Sequence, residues 1–273
     1  MRTRPLTGLG LGALTAVALA LAGCSAGTDA TPAATASAGS SGAATPEAGA
    51  SSGAADPAAA AALGQATAAL GNTSFKITMT AGPGLKLDGL MDAPNGKGTG
   101  TLNITGPNAD ITVKTLLVDK DLYVQIPGIT KSGTWTHLDV SRLPEGANVG
   151  LRPGQIDPAN TAQLLSSTTD VRQDDPRSYS GSLDLTKAAG VSGLDKVTID
   201  SYGSAAQRVP FTAGLDEQGR LSALTVQLPA VNGQQAQPLE VLYTDYGTPV
   251  TAERPAAAEI TEAPDSIYSS LGG

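Results

Sequence analysis

The feature that most constrains this chain is a change to period-two hydrophobicity after Ser74. Apolar Phe75, Ile77 and Met79 alternate with polar residues, and the same alternation returns at 111–117, 122–126 and 239–243. Alternation of this kind is typical of strands with one buried and one solvated face. We therefore expect a sheet to dominate the fold.

Turn sequences separate these runs, and few helical segments intervene. The clearest turns are Pro94-Asn95-Gly96-Lys97, Asp119-Lys120-Asp121 and Asp216-Glu217-Gln218-Gly219. Consecutive hairpins predict an antiparallel sheet, and one of about eight to eleven strands tends to curl. The predicted class is thus α+β: a single curved antiparallel sheet whose apolar face is covered by helices.

Helix starts are predicted where an aspartate precedes a proline, at Asp56-Pro57 and again at Asp157-Pro158. The first helix is expected to end near Gly71. Around the second, residues 145–177 are polar and are predicted to be mostly loop.

The N-terminus has the pattern of a bacterial lipoprotein signal. A basic start is followed by a short apolar run and by Leu21-Ala22-Gly23-Cys24, the pattern of a lipobox. We expect cleavage after residue 23 and acylation of Cys24, which would anchor the protein on the extracytoplasmic face of the cell membrane. An ordinary signal peptide with a chance cysteine is the alternative.

Composition sets the remaining boundaries. Residues 25–55 are almost wholly Ala, Ser, Gly, Thr and Pro, so we predict a disordered tether over 24–55, with a root-mean-square length of roughly 30 Å. The folded domain is expected at 56–273. Cys24 is the only cysteine, so no disulfide is predicted.

Charge argues against nucleic acid as a partner. The whole chain carries a net charge of −8, and removal of residues 1–23 leaves 15 basic and 25 acidic residues, or −10. Phosphate binding needs clustered Lys and Arg. The charge also argues against adhesion to anionic lipid through a basic patch.

No catalytic residues, metal ligands or cofactors are predicted. His137 is the only histidine, so Ser-His-Asp and Cys-His arrangements are hard to assemble, and we interpret it as a strand residue. Asp170, Asp174 and Asp175 are interpreted as a solvated loop. A surface hydrolase built on a carboxylate pair remains the least favoured alternative.

The chain resembles the actinobacterial LppX/LprA/LprF/LprG-type lipoproteins, within the wider group of LolA-like half-barrels. The resemblance rests on the order of the lipobox, the tether, a first helix leading into Ser74-Phe75-Lys76-Ile77 and the hairpins around Asp119 and Asp216. It covers most of residues 57–250. It implies a half-barrel with helices over its concave side and an apolar cavity that holds lipid acyl chains.

The resulting hypothesis is an envelope lipoprotein that carries or presents lipids or lipoglycans, with a membrane transporter or another envelope protein as the expected partner. Candidate cavity residues come from the alternating apolar sets: Ile111, Val113, Leu117, Leu122, Val124, Ile126, Leu224, Val226 and Val241. The same residues would also suit an ordinary core. A sensor, regulatory or partner-binding lipoprotein on the same fold is the alternative function.

Overall fold

The computed structural model describes residues 56–106, 110–128, 130–143, 151–152, 155–188, 196–230 and 236–270. The predicted signal peptide, Cys24 and the tether lie outside these ranges. Within them the chain is α+β. No helix in the described part is long and apolar enough to cross a membrane.

The first helix, α1 (Pro57–Ala68), begins where the sequence predicts. The Asp56 carboxylate accepts a hydrogen bond from a first-turn backbone N–H at 2.8 Å, and Pro57 occupies the first helical position. Leu63 in the helix and Leu70 in the 3₁₀ turns that follow it are each 2 % exposed. The helix therefore contributes one apolar side to the core. The other α-helices are short: α2 (Thr161–Ser166), α3 (Lys196–Ser201) and α4 (Asp265–Ser270).

The prediction that a helix starts at Asp157-Pro158 is wrong by three residues, because α2 begins at Thr161 with Asn160 as its N-cap. Residues 157–160 form a turn, closed by a 2.8 Å hydrogen bond from Asn160 N to Asp157 O, and Asn160 adopts a left-handed conformation with φ of 48°. The Asp157 carboxylate still accepts from Ala162 N, at 3.3 Å. Asp157 thus caps α2 from outside the helix.

The strands, in chain order, are β1 (Ser74–Ala81), β2 (Leu85–Asp92), β3 (Lys97–Thr105), β4 (Asp110–Val118), β5 (Asp121–Gln125), β6 (Trp135–Asp139), β7 (Leu151–Arg152), β8 (Gln155–Ile156), β9 (Arg172–Asp175), β10 (Ser178–Leu183), β11 (Val209–Leu215), β12 (Leu221–Leu228), β13 (Gln237–Thr244) and β14 (Ile260–Glu262).

Twelve of these strands form one open sheet in the order β14-β6-β5-β4-β3-β2-β1-β13-β12-β11-β10-β9, while β7 and β8 pair separately. Antiparallel pairing is predicted for the consecutive strands β1 to β6 and for β11 to β13, and the structure confirms it. Pairing of β1 with β13 joins the two runs in the middle of the sheet.

Two edge strands differ from the prediction. At one edge β14 pairs parallel with β6, so the sheet is not wholly antiparallel. At the other edge the four residues of β9 are all exposed and belong to the segment predicted as loop. Both strands are short and polar, and the charged side chains of β9 protect that edge from pairing with another chain. Period-two hydrophobicity cannot reveal strands of this kind.

Candidate functional site

One face of the large sheet is apolar from β11 to β4, and its register can be followed strand by strand. One row across this face joins seven directly paired residues: Ala213, Leu224, Val241, Met79, Leu87, Leu102 and Val113. A neighbouring row joins Phe211, Val226, Leu239, Ala81, Leu85, Ile104 and Ile111. These rows form a continuous apolar surface that spans both halves of the chain.

Exposure rises along both rows. Leu224, Val241 and Val226 are fully buried, whereas Ile104 and Ile111 at the far end of their row are 38 % and 37 % exposed. The two isoleucines lie directly opposite each other on β3 and β4. Among the described residues, the apolar face therefore extends beyond the helices and strands that cover it.

The covered part forms the hydrophobic core. Residues of α1 and α2, including Leu63 and Leu164, belong to the same buried cluster as Leu224, and α1 contacts β12. Four side chains on β3 and β4 are not part of the described core, and we refer to them as the uncovered apolar end: Leu102, Ile104, Ile111 and Val113.

Two glycines face each other beside the uncovered apolar end. Gly89 of β2 pairs with Gly100 of β3, in the row that also holds Ile77 and Thr115. A Cβ on Gly89 would lie 2.7 Å from Met91 Cε, and one on Gly100 would lie 2.6 Å from Thr115 Oγ1. Because Gly89 and Gly100 have no side chains, neighbouring side chains can lie across this part of the sheet. A side chain at either glycine would displace those neighbours.

Eight of the nine predicted cavity residues lie on the apolar face of the sheet, and Ile126 follows the end of β5. By burial the nine divide into two groups. Five are buried in the core: Leu117, Leu122, Leu224, Val226 and Val241. Four are partly or substantially exposed: Ile111, Val113, Val124 and Ile126. Only Ile111 and Val113 belong to the uncovered apolar end as defined above.

Leu102 and Ile104 complete the uncovered apolar end and were not among the predicted residues. Their alternation is visible in the sequence, but their position opposite Val113 and Ile111 depends on the register of the β3–β4 pair. Sequence alternation gives the face of each strand and says nothing about which part of that face is covered.

His137 is a strand residue, as predicted, and it is held by two carboxylates. Its Nδ1 lies 2.8 Å from a Glu262 oxygen and its Nε2 lies 3.1 Å from Asp121 Oδ1. Burial alone lowers the pKa of His137, but the hydrogen bonds with Glu262 and Asp121 outweigh burial and raise that pKa above its ordinary value. Because Glu262 belongs to β14 and His137 to β6, the contact between these side chains stabilises the pairing of the parallel edge strand.

A second polar group lies beneath the sheet at the start of α2. Tyr243 OH donates to Asp157 Oδ1 at 3.3 Å and also bonds with the Thr161 hydroxyl. Although Asp157 as a residue is only partly buried, its carboxyl group is enclosed by protein, and this burial raises its pKa despite the backbone N–H groups it accepts from. The arrangement ties α2 to β13.

In the part of the chain that the structure describes, no group of three or more His, Cys, Asp or Glu side chains could hold a metal ion. Comparison with known proteins finds no protein family and no curated protein that matches the chain. The geometry of the uncovered apolar end is therefore the principal guide to function.

Proposed function

We propose that this protein is an envelope lipoprotein, anchored through acylated Cys24, that binds lipid acyl chains on the uncovered apolar end of its sheet and carries or presents those lipids. The observation that supports the proposal is the rise in exposure along one apolar face, from 0 % at Leu224 to 37 % at Ile111. A continuous apolar surface of this kind in a water-exposed position is characteristic of a binding site.

The proposed architecture is a half-barrel with α1 and α2 over its concave side. The open twelve-stranded sheet and the shared core of α1, α2 and the central strands support it. On this view the acyl chain would lie beside the helices, against strands β3 and β4, and would extend the core outward.

The energetics suit a passive carrier. Burial of a methylene group contributes roughly 0.8 kcal/mol, so an acyl chain that buries about eight methylenes gains about 6 kcal/mol before the cost of association. No nucleotide or metal is needed for such binding. The chain would leave as soon as a membrane or a partner offered an equally apolar surface.

The uncovered apolar end would also suit an apolar patch on a partner protein, which is the sensor or regulatory alternative. The two functions differ in the occupant, so a binding experiment separates them.

The experiment compares charge introduced on the two faces of the sheet. Ile104→Glu and Ile111→Glu place a carboxylate in the uncovered apolar end. Leu242→Glu is the matched control, because Leu242 is 49 % exposed on β13 and points to the opposite face. Binding of a fluorescent fatty acid to the full-length protein is measured by titration.

We expect Ile104→Glu and Ile111→Glu to lower fatty-acid affinity at least about tenfold, since a charge facing an acyl chain must be desolvated. Leu242→Glu should bind like the parent. Equal affinities in all three variants would contradict the proposed site. Absence of fatty-acid binding together with a stable protein complex that Ile111→Glu abolishes would establish the alternative.

A further inference from the structure

The opposite, polar face of the sheet carries a groove of about 390 Å³ that runs across β1 to β4. Its walls include two lysines, one aspartate, threonine hydroxyls and an indole: Lys76, Asp88, Thr99, Thr101, Lys114 and Trp135. The groove is separate from the uncovered apolar end, which lies on the other face.

Lysine and threonine side chains in this groove can donate hydrogen bonds. Within the described residues, Lys76 and Lys114 form no ion pair, and Thr99 and Thr101 have no side-chain hydrogen bond. The one carboxylate, Asp88, is already engaged by Lys86 at 2.9 Å and by the Thr78 hydroxyl at 3.1 Å. Among the described residues, neither lysine has a carboxylate within ion-pair distance.

The register places these charges in a fixed order. Lys76 is on β1, Asp88 on β2 and Lys114 on β4, so the two lysines lie three strand spacings apart across the sheet, about 14 Å, and two residues apart along the strands, with the aspartate on a strand between them. Asp88 retains acceptor lone pairs beyond its two bonds. Along the groove, a positively charged lysine is therefore followed by a carboxylate that can accept from hydroxyl groups and then by a second lysine. The groove is longer than one sugar ring.

Trp135 lines the same groove, on β6. Its indole offers a flat apolar surface and an N–H donor. A pyranose ring has an apolar face for the indole and hydroxyls for Asp88 and the threonines, while negative groups on its neighbours would meet the lysines.

We propose that this groove binds an acidic oligosaccharide, a chain of sugar rings that carries carboxylates. A DNA strand fits less well, because its sugar–phosphate backbone has no free hydroxyl for the Asp88 carboxylate to accept from. The proposal does not depend on acyl-chain binding, so either can fail alone.

Trp135 is the only tryptophan, so intrinsic fluorescence reports on this groove directly. The full-length protein in detergent is titrated with a galacturonic acid hexamer, and separately with neutral maltohexaose and with oligothymidylate. The variant is Lys76→Gln with Lys114→Gln, which removes charge while keeping hydrogen-bonding capacity. Lys196→Gln is the control, because Lys196 is exposed and pairs with Asp200 on α3.

We expect the galacturonic acid hexamer to change Trp135 fluorescence saturably, and the double variant to bind about tenfold more weakly or worse, since it loses two charge-assisted contacts. Lys196→Gln should bind like the parent. The proposal is overturned by no fluorescence change at millimolar hexamer, by equally tight binding of maltohexaose, by unchanged affinity in the double variant, or by oligothymidylate binding as tightly as the hexamer.

Discussion

Truncation of three leucines in one row of the apolar face measures how far along that row the side chains are buried by the rest of the protein. Leu224, Leu87 and Leu102 share a row, but they differ in surroundings: Leu224 is 0 % exposed, Leu87 packs partly buried against the core, and Leu102 lies outside the described core. Leu224→Ala leaves a closed cavity and should cost about 3–5 kcal/mol of unfolding free energy. Leu102→Ala leaves no closed cavity, so only partial burial is lost, about 1 kcal/mol.

Leu87→Ala should fall between these values, at roughly 2 kcal/mol. Equilibrium urea unfolding of the full-length protein, followed by Trp135 fluorescence, gives all three values. A saturating fatty acid should stabilise the parent, and Leu102→Ala should lose part of that stabilisation while Leu224→Ala keeps it. Equal costs for Leu224→Ala and Leu102→Ala would refute the reasoning, since Leu102 would then be as well covered as the core.

Three further predictions concern stability. Gly64→Ala should stabilise α1 by about 0.5–1 kcal/mol, because the new Cβ meets nothing within 4 Å. Gly181→Ala should destabilise β10, because its Cβ would lie 2.7 Å from Asp170 O. Thermal unfolding of each variant measures whether the stability rises or falls. The stability that His137 adds is complete below its unfolded pKa of about 6.5 and is lost as pH rises through its raised folded pKa, so His137→Gln should cost more at pH 6 than at pH 8.5 in urea titrations. The pKa of Asp157 is raised in the folded state, so its ionised carboxylate destabilises the fold as pH rises above 3.8. Asp157→Asn should therefore gain stability relative to the parent between pH 4 and pH 7. A difference in stability that does not change with pH would contradict the burial argument.

Local sequence signals are enough to place most of the sheet. The Asp119 turn between β4 and β5 was predicted, and Asp119 has the positive φ of 59° that such a turn requires. The alternation at 239–243 places Leu242 on the face opposite Leu239 and Val241, and Leu242 is 49 % exposed while both of those are buried. Alternation and turn chemistry act over a few residues, so sequence alone can reveal them.

Long-range features escape such signals. The β1–β13 pairing joins residues about 160 positions apart, as in Thr80 and Glu240, and nothing in either strand specifies the other. The uncovered apolar end depends on that pairing and on the position of α1, because Leu102 and Leu224 have the same residue type and the same strand pattern. Which leucine is covered is decided by tertiary packing.

The most direct test of the central claim is photo-crosslinking with a fatty acid that carries a diazirine near its methyl end. The full-length protein is irradiated with the bound probe, and the modified peptides are mapped by mass spectrometry. Acyl-chain binding at the uncovered apolar end predicts adducts within β3 and β4, near Ile104 and Ile111, that excess unlabelled fatty acid removes. Adducts confined to the face that carries Leu242, or no competable adducts, would contradict it.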